Sequence, residues 1–399
     1  MSLVPTPPLS LYVHFPWCVR KCPYCDFNSY TLHGELDERR YVEALQRDLE
    51  AQAPEVTGRE VVSIFFGGGT PSLFSPDAIG AVIAAARRHL RLAADVEVTM
   101  EANPGAIERG RFGEYRAAGL TRVSLGAQTF DPRRLEALGR IHSPDETRRA
   151  AAELHAAGLD NFNLDLMYAL PGQDIAAAVR DVEEAIANDP AHLSHYQLTI
   201  EQGTVFAAQP PELPQDDMVA DMLSECAQRL GAAGFAHYEV SAYARSGRQC
   251  RHNLNYWTFG DYLGVGAGAH GKLTSAAGVI VRTQQSREPR RYLASVPAKV
   301  TRSEVAGEEL PFEFMLNALR LVEGFDVALF QERTGLEWRD VSDRIDDLVR
   351  RGLMLREGTR LKPSPSGLQF LNELLLSFVP VQRRQSAKTT GDFGLSTTP

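Results

Sequence analysis

Three cysteines are the clearest chemical signal in the sequence. Cys18, Cys22 and Cys25 lie in one short segment with the spacing C-x3-C-x2-C, and the whole chain has only 5 cysteines. A disulfide leaves one of the three unpaired. A tetrahedral zinc ion needs a fourth ligand, which His14 or Asp26 could supply, but C-x3-C is an unusual spacing for zinc. A cubic iron–sulfur cluster has four irons, each normally held by a thiolate, so three cysteines leave one iron open for another molecule.

Further polar and glycine residues follow apolar runs that are typical of β-strands. The runs are "LSLYVHF", "EVVSIFF", "DVEVTME", "TRVSLGA", "NFNLDLMYAL", "HLSHYQLTI" and "HYEVSAYA". They read as strands that are apolar on both faces, as in a parallel sheet covered by helices. Because the chemistry of such barrels lies at the carboxyl ends of the strands, one shared pocket is expected from the residues that close these runs: Cys18, Gly67 to Thr70, Glu101, Gln128, Asp165 and Thr199.

Amphipathic helical patterns separate most of the strand runs. They cover Asp37–Ala53, Pro76–Leu90, Ile107–Ala118, Pro144–Ala157, Ile175–Asn188 and Asp216–Ala233. Repetition of strand and helix at this connection length predicts parallel strands joined by right-handed crossovers. About six such units fit an open or partial α/β barrel better than a flat doubly wound sheet, although periodicity alone does not decide between the two. The predicted barrel spans residues 1–300.

The character of the sequence changes near Gly307. The segments "EELPFEFMLNALRLVEG", "DVALFQERTG" and "EWRDVSDRIDDLVRRGLM" predict three helices, "LREGTRLKPSPSG" a hairpin and "LQFLNELLLSF" a last helix. Helices followed by a small hairpin resemble a winged-helix module, which is assigned to residues 301–380. The polar segment 381–399 is predicted to be a disordered tail.

Composition narrows the classes of partner and compartment. The formal net charge is -9, which argues against a polyanion such as nucleic acid as the main partner. The sequence has no run of eighteen apolar residues, so no transmembrane helix is predicted. The start "MSLVPTPPLS" has neither the basic nor the apolar region of a secretory signal. The chain is therefore expected in the cytoplasm, where clustered cysteines more often bind metal than form disulfides.

The cysteine spacing just after the first strand, with an aromatic residue beside the last cysteine, resembles the radical SAM superfamily. The resemblance implies a partial (β/α)6 barrel of the TIM type and a [4Fe-4S] cluster held by Cys18, Cys22 and Cys25. In that family the open iron chelates the amino and carboxylate groups of S-adenosylmethionine, and the reduced cluster cleaves it to a 5′-deoxyadenosyl radical. The turn "FFGGGTP" resembles the family's contact with the methionine moiety, although alone it is also a tight strand-to-helix turn.

From about Leu11 to Phe378, motifs such as "EANP", "SLGAQTFD", "LGRIH" and "YEVSAYA" resemble one subgroup of the superfamily. That subgroup comprises oxygen-independent coproporphyrinogen III oxidase and its heme chaperone relatives. The oxidase has a fourth cysteine two residues after the third, whereas this chain has Phe27 there, as the chaperones do. The oxidase also has an N-terminal extension over its substrate, and here only a short segment precedes the first strand.

The resemblance assigns a set of residues to S-adenosylmethionine. In the oxidase two molecules are bound, and a use for the second in this chain is left open, since the chaperones are not thought to need that chemistry. Each residue also has an ordinary reading as a structural polar group or turn residue. The residues assigned to the cofactor are Tyr12, Phe27, Gly68, Glu101 and Gly268, and, for the second molecule, Gly69, Thr70, Gln128, Arg140, Asp165 and Thr199.

A second motif points to heme. The stretch "HNLNYW" matches the HNxxYW pattern associated with heme binding in the chaperones, which implies heme-binding roles for His252, Asn253, Tyr256 and Trp257. Imidazole is a common axial ligand of heme iron, so His252 is the candidate ligand. From the spacing alone, His252 and Asn253 also read as turn caps and the two aromatic residues as core. Cys250 reads either as a second heme contact or as a buried apolar residue.

These observations favour a heme chaperone that binds heme and passes it to an unidentified acceptor protein, with the cluster and S-adenosylmethionine gating transfer or homodimer formation. No catalytic residue is assigned. The alternative is oxidative decarboxylation of coproporphyrinogen III by the adenosyl radical. A third possibility is nucleic-acid binding by the C-terminal module, but acidic residues dilute its arginines, and such mixed runs are usually solvated faces.

Overall fold

The computed structural model describes residues 6–105, 110–295, 297 and 300–380. The predicted tail 381–399 lies outside the described residues, as does the start of the predicted helix Ile107–Ala118. Seventeen strands are present in this part of the chain: β1 Leu9–Phe15, β2 Trp17–Cys18, β3 Tyr30–Thr31, β4 Glu60–Gly68, β5 Arg91–Ala102, β6 Arg122–Gln128, β7 Phe162–Tyr168, β8 His192–Gln197, β9 Ala236–Glu239, β10 Ala242–Ala244, β11 Asp261–Val265, β12 His270–Thr274, β13 Ile280–Gln284, β14 Thr301–Glu304, β15 Phe325–Asp326, β16 Met354–Glu357 and β17 Arg360–Pro363.

The α-helices of the described residues mostly follow the predicted patterns to within a few residues. They are α1 Glu38–Gln52, α2 Pro76–His89, α3 Phe112–Ala118, α4 Pro132–Ala137, α5 Pro144–Ala156, α6 Ile175–Ala187, α7 Val205–Ala208, α8 Asp216–Ala232, α9 Arg251–Trp257, α10 Pro289–Ser295, α11 Leu310–Ala318, α12 Val327–Thr334, α13 Arg339–Arg350, α14 Pro365–Gln369 and α15 Leu371–Leu376. Side-chain caps fix several starts. At α5, for example, Ser143 and Glu146 form a reciprocal capping box.

One open sheet of twelve strands organises the molecule, in the order β14-β13-β12-β11-β1-β4-β5-β6-β7-β8-β10-β9. The run from β11 through β1 and β4 to β8 is parallel. Both edges of the sheet are antiparallel. The predicted α/β fold with a partial (β/α)6 barrel is therefore confirmed.

Two strand predictions are wrong in detail. "HYEVSAYA" was expected to be one strand, but Val240 and Ser241 turn the chain, so that β9 and β10 pair antiparallel at the edge. The seventh parallel strand is instead β11, Asp261–Val265, which the sequence reading did not predict. Its short "DYLGV" has too few apolar residues to stand out, and its pairing with β1 is a contact between distant parts of the chain.

The strands of the barrel carry polar residues on their interior face, which corrects the expectation of two apolar faces. In β1 the apolar residues Leu9, Leu11, Val13 and Phe15 are buried in the main core, at most 1% exposed. The residues between them are polar or aromatic, because successive side chains of a strand point to opposite faces. A barrel has an interior as well as a helix-covered outside, and the interior face carries the polar groups.

A second hydrophobic core lies in the C-terminal part, where α11 to α13 pack against the three-stranded sheet β15-β17-β16. This core includes Phe259 and Ile280, which precede residue 300. Ion pairs also cross between the two parts, including Arg320 with Glu239 at 3.2 Å. A domain boundary at about residue 300 remains a prediction.

Candidate cofactor-binding site

The cysteine segment is attached to the barrel by backbone hydrogen bonds at the carboxyl end of β1. The short strand β2, Trp17–Cys18, pairs with β3, Tyr30–Thr31, and closes the segment into a loop. The Gly69 N–H donates to the Phe15 carbonyl at 2.6 Å, and the Thr70 N–H donates to the Trp17 carbonyl at 2.8 Å. The glycine-rich turn and the cysteine loop are thus one unit.

Two side chains hold the far side of this loop. His14 Nδ1 hydrogen-bonds the Tyr12 hydroxyl at 3.0 Å, and His14 Nε2 hydrogen-bonds the Asn28 carbonyl at 2.9 Å. Asn28 Nδ2 in turn donates to the Ala267 carbonyl at 3.1 Å. Gly268 lies directly against Asn28, since a Cβ at Gly268 would be 2.0 Å from Asn28 Nδ2. The structure therefore places Gly268 beneath the loop.

The three cysteines are half-buried and free of disulfides. Burial is the main cause that raises the pKa of Cys18 and Cys25, and the charges of the neighbouring cysteines raise it further. Among the described residues no three His, Cys, Asp or Glu side chains are grouped closely enough for a single metal ion. In an iron–sulfur cluster each thiolate binds a different iron, so the three thiols need not converge on one point.

The glycine turn comes close to the strands beneath it. A Cβ at Gly69 would lie 2.6 Å from the Trp17 carbonyl oxygen, and one at Gly68 would lie 2.4 Å from His14 Cε1. Gly68 also has a φ of 112°, in the left-handed region that favours glycine. Its N–H donates to Glu101 Oε2 at 3.1 Å, while Thr70 Oγ1 accepts from Asn103 Nδ2 at 3.2 Å.

Two buried carboxyl groups, Glu101 and Asp165, lie close enough in the barrel for the charge of Asp165 to raise the pKa of Glu101. Burial, followed by the charge of Asp165, raises the pKa of Glu101 to about 8. Burial also raises the pKa of Asp165, which accepts from Asn163 Nδ2 at 2.7 Å and from the Ser124 hydroxyl at 3.1 Å. Asp165 lies in the middle of β7 and does not close it as predicted. It reaches the interior because it occupies an inward position of the strand.

The remaining residues assigned to S-adenosylmethionine are not all brought together. Gln128 ends β6 with a φ of 67° and accepts from the Tyr196 hydroxyl at 2.7 Å. Arg140 is aimed at the cysteine loop, with Nη1 3.8 Å from Cys22 Sγ. Thr199 is exposed and lies beyond β8, which ends at Gln197, so it does not close that strand. Phe27 is 44% exposed at the surface of the loop.

The heme motif forms the short helix α9, which lies at the other end of the barrel interior. His252 is 2% exposed, and its ring stacks on Phe65 with 4.9 Å between the centroids. His252 Nδ1 hydrogen-bonds the Ser63 hydroxyl at 3.0 Å, and Nε2 hydrogen-bonds the Tyr256 hydroxyl at 3.2 Å. Burial lowers the pKa of His252 to about 3. Both ring nitrogens of the candidate heme ligand are thus engaged within the protein.

The rest of the motif is also packed against the protein. Trp257 is 6% exposed with the Arg320 guanidinium 4.3 Å from its ring, while Asn253 is half-buried. Cys250 is 1% exposed, its Sγ lies 3.6 Å from Glu97 Oε1, and burial raises its pKa to about 12. The Glu97 carboxylate also accepts from the Arg251 N–H at 3.0 Å, at the start of α9.

Sequence reasoning missed several residues that build the site. They are His14 and Asn28, which hold the cysteine loop, and Ser63 and Glu97, which hold α9. His14, Ser63 and Glu97 lie at alternate positions of their strands, opposite the buried apolar residues. The period-two alternation was the signal that could have found these three.

Comparison with known proteins agrees with this geometry. Residues 12–185 match the family model described as the Radical SAM superfamily, and residues 305–370 match that of the HemN C-terminal domain. A solved structure, that of coproporphyrinogen III oxidase (HemN) from Escherichia coli, superposes with a TM-score of 0.79 at 22% identity. It covers 94% of this chain and 91% of the other. The open barrel and the cysteine loop are those of a radical SAM protein.

Similarity to curated proteins shows to which branch of the superfamily this chain belongs. The chain is 47% identical over 377 residues to the protein named heme chaperone HemW of Escherichia coli, covering 94% of this chain and all (100%) of the relative. It is 43% identical over 377 residues to heme chaperone HemW of Haemophilus influenzae, covering 94% of this chain and 98% of that relative. The chain belongs to the HemW family of heme chaperones. Within the described residues, no helix is long and apolar enough to cross a membrane.

Proposed function

We propose that the protein binds heme and transfers it to an acceptor protein, and that it does so with a bound [4Fe-4S] cluster and S-adenosylmethionine. The observation that carries this proposal is the 47% identity to a heme chaperone over that protein's full length. Phe27, at the position where the oxidase has a fourth cysteine, supports the same branch. The 22% identity to the oxidase supports a common fold and nothing further.

In this proposal the thiolates of Cys18, Cys22 and Cys25 hold the cluster. The cluster supplies one-electron chemistry and an open iron for the amino and carboxylate groups of S-adenosylmethionine. The Gly68–Thr70 turn offers backbone to the methionine moiety, and Tyr12 and Glu101 lie beside it. The Asp165 carboxyl accepts hydrogen bonds from Asn163 and Ser124 and would accept those of the ribose hydroxyls. A second S-adenosylmethionine stays a prediction, because Thr199, one of its assigned residues, is exposed and donates to Glu201 Oε1 at 3.1 Å.

Heme binding at the motif requires a change in the protein. His252 can donate a lone pair to iron only if Ser63 or Tyr256 releases a ring nitrogen, and its 2% exposure leaves no room for a porphyrin. Helix α9 has only 7 residues and therefore little helical stability of its own. We propose that heme binds to a conformation in which α9 has moved away from the barrel interior.

The test is an anaerobic titration of the cluster-reconstituted protein with hemin, followed by absorbance. The wild type, His252→Ala and the control His195→Ala are compared. His195 is likewise buried, 3% exposed, but stacks on Tyr168 away from the motif. The expected result is saturation near one heme per chain, weakened only in His252→Ala. Absence of saturable binding in the wild type contradicts the proposal, whereas equal binding by all three proteins removes only His252 as the ligand.

The partners other than heme stay predictions. The acceptor protein and a homodimer are expected but are tested by no observation here. In the C-terminal module, Arg350 pairs with Asp347 at 3.1 Å and Arg356 with Asp346 at 2.8 Å. The absence of a nucleic-acid partner stays a prediction. Formation of protoporphyrinogen from coproporphyrinogen III under anaerobic turnover would instead support the oxidase reading.

A further inference from the structure

Arg140 makes contacts that its assigned role does not explain. By resemblance it belongs to a second S-adenosylmethionine, yet its guanidinium is directed at a ligand of the cluster. Nη1 donates toward Cys22 Sγ at 3.8 Å, within the range of an N–H···S hydrogen bond. The two residues are 118 positions apart in the chain, so the fold itself brings them together.

The guanidinium is held in this orientation by two other acceptors. Nη2 donates to the Gly126 carbonyl at 2.9 Å and to Asn103 Oδ1. The guanidinium also packs closely on Gly126, since a Cβ at that position would lie 3.1 Å from Arg140 Nη2. A planar group with fixed donors on two sides has little freedom to turn. Arg140 is thus preorganised toward Cys22 before any S-adenosylmethionine binds.

We propose that Arg140 is a positioning residue for the iron–sulfur cluster, which it serves by donating an N–H···S hydrogen bond to the Cys22 thiolate. This inference rests on the proposed function, because it requires the cluster. Hydrogen bonds to cluster sulfurs and the local charge both set the reduction potential. A permanent positive charge beside Cys22 stabilises the reduced cluster, which is the more negative state, and so raises its potential. The same bond orients the Cys22 side chain for cluster assembly.

The experiment is a redox titration of the reconstituted cluster without S-adenosylmethionine, followed by electron paramagnetic resonance, together with iron content per chain. The variants are Arg140→Met, Arg140→Lys and the control Arg148→Met. Arg148 is a second arginine held by ion pairs, with Asp145 at 2.7 Å and Glu184 at 3.0 Å, and it lies on α5. We expect a midpoint potential more negative than wild type in Arg140→Met, a smaller shift in Arg140→Lys and no shift in Arg148→Met.

The outcomes separate the possible failures. An Arg140→Met cluster with the wild-type potential and iron content overturns the inference, as does an equal shift in Arg148→Met. If Arg140→Met loses the cluster while Arg148→Met keeps it, the positioning role is supported and the potential of Arg140→Lys decides the electrostatic part. A wild-type chain that holds no cluster after reconstitution contradicts the proposed function itself. Heme titration of Arg140→Met is expected to match wild type, because α9 lies at the other end of the barrel.

Discussion

The close approach of Gly69 to the cysteine loop leads to a quantitative prediction. In Gly69→Ala the new Cβ falls 2.6 Å from the Trp17 carbonyl oxygen and 2.8 Å from that of Phe15. Both are backbone atoms, so neither can swing aside, and the strands must separate. Overpacking of this kind costs about 1–3 kcal/mol. The hydrogen bonds from Gly69 and Thr70 also lengthen, each with a net worth of about 1 kcal/mol. We expect a loss of roughly 2–4 kcal/mol in unfolding free energy.

The measurement is chemical denaturation of the cluster-free protein, followed by iron content after reconstitution. The matched control is Gly113→Ala, because Gly113 lies in α3 with no atom within 4 Å of the new Cβ. Alanine is a better helix former than glycine, so this control gains about 0.5–1 kcal/mol. The reasoning is refuted if Gly69→Ala unfolds at the same denaturant concentration as wild type. It is also refuted if Gly69→Ala retains full iron content.

Three further predictions follow from buried polar groups. Burial raises the pKa of Glu101 to about 8 in the folded protein, whereas the carboxyl of the unfolded chain loses its proton near pH 4–5. The free energy of unfolding should therefore fall between pH 5 and 8, and Glu101→Gln should reduce this pH dependence in denaturation curves. His252→Ala leaves Ser63 without its imidazole partner and should cost about 1–3 kcal/mol by the same method, with an unchanged stability refuting the contact. Asp261→Ala removes the ion-pair partner of the buried Lys272, which lies 2.9 Å away. The free energy of unfolding should fall by about 3–5 kcal/mol, whereas a loss under 1 kcal/mol would contradict a buried ion pair.

The heme motif and the cysteine loop lie at opposite ends of the barrel interior. Ser63, which holds His252, lies in the first half of β4, whereas Gly67 and Gly68 end the strand beside the cysteine loop. Between them, Tyr12 lies 6.3 Å from the His252 ring and hydrogen-bonds His14, which holds the loop. A movement of α9 therefore changes the packing around Tyr12, a residue assigned to S-adenosylmethionine. Comparison of S-adenosylmethionine affinity with and without hemin measures this coupling.

Local features of the sequence determined the type of the cysteine loop, the glycine turn and the strand–helix fold. The spacing of Cys18, Cys22 and Cys25, the three glycines before Thr70 and the alternation of strand and helix all depend on neighbours in the chain. A turn, a helix cap or a cysteine triad is specified by a few consecutive residues, so its type can be read without the fold. The C-terminal helices and hairpin could be predicted from the sequence for the same reason.

Only the tertiary structure decided which residues meet inside the barrel. Closing parallel strands around an interior gives each strand a polar face, so Asp165 lies inside the barrel from the middle of β7, while Thr199 is exposed beyond the end of β8. The burial of His252 depends on Ser63 and Phe65, nearly two hundred residues earlier in the chain, and the aim of Arg140 depends on Cys22. Such contacts between distant residues leave no local pattern, because the strand order of the sheet creates them.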